Sequence, residues 1–172
     1  ALLRYACERS ADRNVSCLEF NALDEDLLAV GYGEFDYASQ RDGLILLWAL
    51  RNTAHPEAVI RTPHGVTSLA FSRQHPNMLA AGLYDGSINI YDVRDEAAEL
   101  TPLLSSVHAG GKHTEPVWSV QWVEHGAERG ERLVTISADG RVTQWDLNKG
   151  LEHVDLMHLK LHSTRDGTGG PE

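Results

Sequence analysis

Apolar and polar residues alternate along three stretches of the chain, and the three open alike: Val15-Ser-Cys-Leu-Glu-Phe20, Val66-Thr-Ser-Leu-Ala-Phe71 and Val117-Trp-Ser-Val-Gln-Trp122. A period of two is the signature of a half-buried strand, because successive side chains point to opposite faces. The three opening valines are spaced 51 residues apart. A second apolar strand is predicted after each opening, at residues 27–30, 78–81 and 133–136. An Asp-Gly pair follows in every copy, at Asp42-Gly43, Asp85-Gly86 and Asp139-Gly140. Between apolar runs such a pair predicts a tight hairpin, since glycine takes the positive φ the turn requires. A third strand then ends on an aromatic residue, over residues 44–48, 87–91 and 141–145. A fourth, less regular strand is predicted at 57–62, 103–107 and 153–161. Insertions account for the uneven spacing, chiefly about eight extra residues before the first Asp-Gly pair.

Four short antiparallel strands per unit, closed by Trp145-Asp146 in the third copy, mark a β-propeller blade. The expected fold is therefore all-β, with three four-stranded blades belonging to a larger, seven-bladed ring. Residues 15–65, 66–116 and 117–162 are the three blades. Residues 1–14 form a lead-in predicted as a short helix, and 163–172 a Gly/Pro-rich loop or tail. A propeller needs about four to eight blades to close, so the chain is expected to be a fragment of a longer protein.

Composition narrows the function more than the fold. The 172 residues carry 15 Lys plus Arg against 25 Asp plus Glu, a formal net charge of −10, spread without blocks. Such a chain is a poor non-specific ligand for nucleic acid or anionic lipid, which need clustered cations. The two cysteines, Cys7 and Cys17, are too few for a disulfide framework and read as reduced thiols. The longest apolar run, residues 44–50, is too short to cross a bilayer, and no signal peptide is visible.

The third copy resembles the WD-repeat pattern most fully. It holds Gly111-Lys-His113 four residues before Val117, then Thr135, Asp139 and Trp145-Asp146. The resemblance implies a buried hydrogen-bonded network of His113, Thr135, Asp139 and Trp145 that ties a blade together. The first two copies lack the Gly-His element, and the second has Tyr91 in place of Trp, so the network is carried to the third copy alone. More particular stretches are Ala29-Val-Gly-Tyr-Gly-Glu-Phe-Asp36, His75-Pro-Asn77, Gly111-Lys-His113 with Pro116-Val-Trp118, and Ile136-Ser-Ala-Asp-Gly140. Read in order, they resemble the WD-repeat half of a dynein intermediate chain, of the axonemal outer-arm type. That resemblance implies a non-enzymatic scaffold in the cytoplasm and the axoneme of a cilium or flagellum. Its partners would be a dynein heavy chain and a second intermediate chain, with no cofactor, small-molecule substrate, nucleic acid or membrane. The alternatives are a cytoplasmic dynein intermediate chain, another WD-repeat adaptor, or a propeller enzyme with its active site in other blades.

No catalytic or metal-binding pattern competes with that reading. His153, His158 and His162 match no zinc spacing. Gly110-Gly-Lys-His-Thr114 lacks the first glycine, the Lys-Ser/Thr pair and the following helix of a phosphate loop. Trp48, Trp122 and Trp145 fall on core positions. Partner contacts are expected instead on the first-blade insertion, residues 32–41, through Tyr32, Phe35 and Tyr37. Aromatic loops on a rigid scaffold favour binding hot spots. Trp118 follows the inward Val117, so alternation puts it on the other face of its strand, as a second partner candidate or a blade contact.

Overall fold

The computed structural model describes residues 3–34, 36–95, 99–124, 126 and 130–159. Among the described residues, twelve strands form three separate antiparallel sheets of four, each in plain up-and-down order. The first sheet contains β1 (Val15–Phe20), β2 (Leu27–Tyr32), β3 (Gly43–Ala49) and β4 (Ala58–Thr62). The second contains β5 (Val66–Phe71), β6 (Met78–Leu83), β7 (Ile88–Asp92) and β8 (Leu104–Ser105). The third contains β9 (Val117–Glu124), β10 (Glu131–Ser137), β11 (Arg141–Asp146) and β12 (Glu152–His158). Neighbouring sheets meet along their first strands, with β5 standing between β1 and β9. This is an open arc of three propeller blades.

Two cores lie between blades, and a third lies where Tyr5 and Cys7 of the lead-in pack on Leu28, Val30, Leu46 and Trp48 of the first. Ala29, Ile45, Leu47 and Ile60 of the first blade pack on Leu69, Leu79, Ala81 and Tyr91 of the second. Ala70, Ala80, Ile88 and Ile90 on the other face of the second blade meet Val117, Leu133 and Trp145 of the third. The second blade is thus covered on both sides. That is why Met78-Leu-Ala-Ala-Gly-Leu83 reads as a continuous apolar run and not as an alternation.

The lead-in differs from expectation. Among its described residues the only helical turn is a single 3₁₀ turn, Glu8–Ser10. The Ser10 hydroxyl accepts from the Cys7 amide and donates to the Cys7 carbonyl, closing one turn locally and offering the backbone an alternative to a continuing helix. The segment is instead pinned flat against the first blade. Tyr5 stacks edge-on against Trp48 at 5.5 Å and donates to the Leu50 carbonyl, while Arg13 bonds both the carbonyl and the carboxylate of Asp42.

The three Asp-Gly pairs do not make three equal turns. Gly86 and Gly140 take φ of +85° and +82°, as a tight hairpin requires. Gly43 does not, because ten residues link β2 to β3, and it already belongs to β3. It is needed for space: a Cβ there would lie 2.2 Å from the Thr62 hydroxyl and 2.3 Å from the His64 carbonyl.

Candidate functional site

In the third blade His113, Thr135, Asp139 and Trp145 are brought together. His113 comes from the loop before β9, Thr135 from β10, Asp139 from the β10–β11 turn and Trp145 from β11. The imidazole is buried, with Nδ1 3.0 Å from the Asp139 carboxylate and Nε2 2.8 Å from the Thr135 hydroxyl. The Trp145 indole N–H donates to that same hydroxyl at 2.8 Å. Asp139 also accepts from the backbone amides of Thr114 and Arg141, fixing the turn to the loop. Burial pushes the His113 imidazole below its ordinary pKa, against the pull of Asp139. Burial also raises the Asp139 carboxyl, but the Arg141 amide, the His113 ring and the Thr114 amide outweigh it and leave the group below its usual range. The arrangement joins four chain segments, with His113, Thr135 and Trp145 buried, a geometry suited to holding a blade rigid.

The other two blades solve the same problem differently. Tyr91 occupies the place of the tryptophan in the second, fully buried, and accepts from the Asn89 amide at 3.1 Å. Burial raises its hydroxyl to about 12. In the first blade Trp48 is fully buried and its indole N–H has no partner among the described residues. Pairing shows why. Thr135 lies two residues beyond Leu133, the partner of Trp145, and the matching residue beyond Leu28, the partner of Trp48, is Val30.

The expected partner residues separate. Tyr32 is not on a loop surface: it ends β2 and is only 6% exposed, packed with Val30, Leu44 and Trp48. Strand pairing with Leu44 and Val15 draws it inward, which corrects its assignment as a contact residue. Phe35 lies outside the described residues. The backbone at Tyr37 opens a 3₁₀ turn, Tyr37–Ser39, capped by the Asp36 carboxylate on the Ala38 amide. Trp118 is 45% exposed and stands edge-on to Tyr84, with ring centroids 6.3 Å apart. Of the remaining tryptophans, Trp122 is half-buried and donates across the blade boundary to the Ala70 carbonyl.

Surface clefts follow the blade boundaries. One of about 500 Å³ lies between the second and third blades, where Met78, Leu104, Trp122 and Leu147 make an apolar floor. Its rim charges are paired within the chain, Arg94 with Asp92 and Arg132 with Asp146. Another, of about 600 Å³, runs along the inner strands from Cys17 to Trp122. Burial raises the Cys17 thiol to about 11, so it is a poor nucleophile. Among the described residues no three His, Cys, Asp or Glu side chains are grouped to hold a metal ion. His153 lies 5.7 Å from the Trp145 ring and His158 pairs with Asp155, while His162 is outside the described residues.

The fold and the network together define a WD-repeat propeller segment. Residues 38–138 match the family described as the dynein axonemal intermediate chain 3 WD40 domain. Similar proteins agree. Dynein axonemal intermediate chain 4 of Xenopus laevis is 43% identical over 98% of this chain and 22% of its own length. The 78 kDa intermediate chain of the flagellar outer arm of Chlamydomonas reinhardtii is 37% identical over 96% of the chain and 24% of its own length. Dynein axonemal intermediate chain 1 of Rattus norvegicus is 32% identical over 92% and 22%. The chain belongs to the axonemal dynein intermediate chain WD40 family. The motifs favour the chain 1, outer-arm kind, and that kind is matched, although identity is higher to chain 4. The chain spans less than a quarter of the length of these relatives.

Proposed function

We propose that this chain is the propeller portion of a non-enzymatic scaffold subunit of an axonemal, outer-arm dynein. In this reading it grips a dynein heavy chain beside a second intermediate chain and serves ciliary or flagellar motility from the axoneme. The observation that carries it is the family match over residues 38–138, which begins in the first blade and ends in the third. The physical arrangement supports the role. Residues 15–65, 66–116 and 117–162 act as blade units, and the lead-in braces the first of them. The network of His113, Thr135, Asp139 and Trp145 is structural, holding loops in place for a partner and performing no chemistry. Trp118 and the loop bearing Phe35 and Tyr37 are the surfaces we assign to partners.

The test is direct. An antibody against the 32–41 loop is used on a high-salt extract of ciliary axonemes sedimented through a density gradient. Co-migration of the antigen with the dynein heavy chains is expected. Absence from cilia, or sedimentation alone, overturns the axonemal assignment and leaves the propeller without a role.

A further inference from the structure

This inference rests on the scaffold reading and concerns how one partner is held. Each first strand carries the same bulge near its start, where one residue is left unpaired: Ser16 in β1, Thr67 in β5 and Trp118 in β9. The fold does not need an aromatic ring at this position. Thr67 fills it with a hydroxyl directed at the Gly82 and Val117 carbonyls, and Ser16 fills it in the first blade. Only the third blade places an indole there, and the bulge turns it toward solvent, 45% exposed, beside Tyr84. Bulges re-aim side chains next to sites of function. An indole held half in water gives up apolar burial that folding could have used.

Tyr84 also walls a cleft of about 430 Å³ built by the first two blades and the loop entering the third. The first blade contributes Gln40, the second Tyr84 and Asp85, and the loop that leads into the third Thr114, Glu115 and Pro116. Its walls are fixed by backbone contacts. The Tyr84 amide donates to the Gly65 carbonyl, the Ser137 hydroxyl to the Glu115 carbonyl and the Ala138 amide to the Pro116 carbonyl. Its polar groups are only partly matched. Asp85 is engaged by Lys112 at 2.6 Å and by Ser87, and His64 approaches the same carboxylate at 3.7 Å. Gln40 donates its amide nitrogen to the Glu34 and Asp36 carbonyls, leaving its buried Oε1 without a partner among the described residues. The exposed Glu115 carboxylate accepts no hydrogen bond and forms no ion pair among the described residues.

The cleft therefore offers one open, charged acceptor, the Glu115 carboxylate, beside a pair of aromatic rings, with the unpaired Gln40 oxygen buried behind it. The complementary group is a flat cation with several donors and no acceptor. A guanidinium is that group: it stacks on aromatic faces and bonds a carboxylate through its fork of N–H donors. An ammonium lacks the flat face. We propose that the edge of this cleft, where Tyr84 meets Trp118, seats an arginine side chain of a partner protein in the dynein complex, stacked against Trp118 and bonded to Glu115.

The full-length protein, assembled in the dynein complex and carrying the photoreactive benzoylphenylalanine in place of exposed Thr114, tests this. After irradiation the adduct is mapped by mass spectrometry. The expected adduct lies on another polypeptide, within a few residues of an arginine. Trp118→Ser, which installs the first blade's own residue, keeps the melting transition and lowers adduct yield about tenfold. Glu115→Arg does the same, and changing the mapped arginine to glutamate restores the yield. Adducts confined to this chain or to an arginine-free segment, or no adduct at all, overturn the inference, as does an unchanged yield in either variant. Failure of the parent reading is distinguishable: there, the unmodified chain does not sediment with heavy chains.

Discussion

At the scale of single residues, three blades with one backbone plan carry three different interiors. Thr135 accepts the indole N–H of Trp145, Asn89 donates to Tyr91, and Val30 leaves Trp48 with no acceptor. A buried donor without a partner costs about 1–3 kcal/mol. Val30→Thr places a hydroxyl where Thr135 stands in the third blade, with the Leu46 carbonyl in the position of the Thr143 carbonyl. The expected result is a gain of about 1 kcal/mol, read from the urea midpoint of the full-length protein. A loss would mean that the indole already has an acceptor. The same scale sets a pH dependence. The buried His113 is held neutral beside Asp139, with Arg141 and Asp155 also acting on it. Its folded pKa lies below the ordinary value of about 6.5, so its contribution is complete above that pH. The contribution is lost as the pH falls through the folded value, where the unfolded chain takes up a proton that the folded chain resists. Stability should fall from pH 7 toward pH 5, and His113→Gln should flatten that slope in urea titrations at each pH.

At the scale of elements, the strands were legible because a half-buried strand writes its period of two into the sequence. In β9, for example, Val117 and Val120 are buried while Trp118 and Gln121 are exposed, whereas β5 is covered on both faces. The turns were legible only in part. Asp85-Gly86 and Asp139-Gly140 are hairpins with positive φ, whereas the same dipeptide at Asp42-Gly43 follows a long link and serves close packing. A dipeptide signals a turn only when the strands around it are near enough to need one. Gly86 meets both demands, since a Cβ would lie 2.2 Å from the His113 carbonyl while φ is +85°. Gly86→Ala should therefore destabilise the protein by about 2 kcal/mol or more, seen as a lower melting temperature. Among its described residues the lead-in holds only one 3₁₀ turn for a related reason. Its contacts through Tyr5, Arg9 and Arg13 reach residues distant in the chain, and they hold it flat against the blades.

At the scale of the whole molecule, the arc ends in two open faces. Val15, Leu18 and Phe20 are exposed on β1, and Val154, Leu156 and Met157 on β12. Rows of apolar residues on uncovered sheet faces favour association. The 172-residue arc expressed by itself should accordingly self-associate at micromolar concentration, measured by sedimentation velocity. A monodisperse monomer with a cooperative melt would contradict this.

The sequence by itself determined the three blades, their strand order and the residues of the third blade's network. Each of these depends on local periodicity or on residue types at fixed spacing. It also carried the family likeness, through short motifs that survive in order. Only the tertiary structure decided which aromatics face outward. Tyr32 was drawn inward by its pairing on both sides, and Trp118 was turned outward by a one-residue bulge, although both sit in similar apolar company along the chain. The cleft beside Trp118 has no sequence signal at all. Gln40, Tyr84 and Glu115 come from the first blade, the second and the loop entering the third, and only the packing of the blades brings them together.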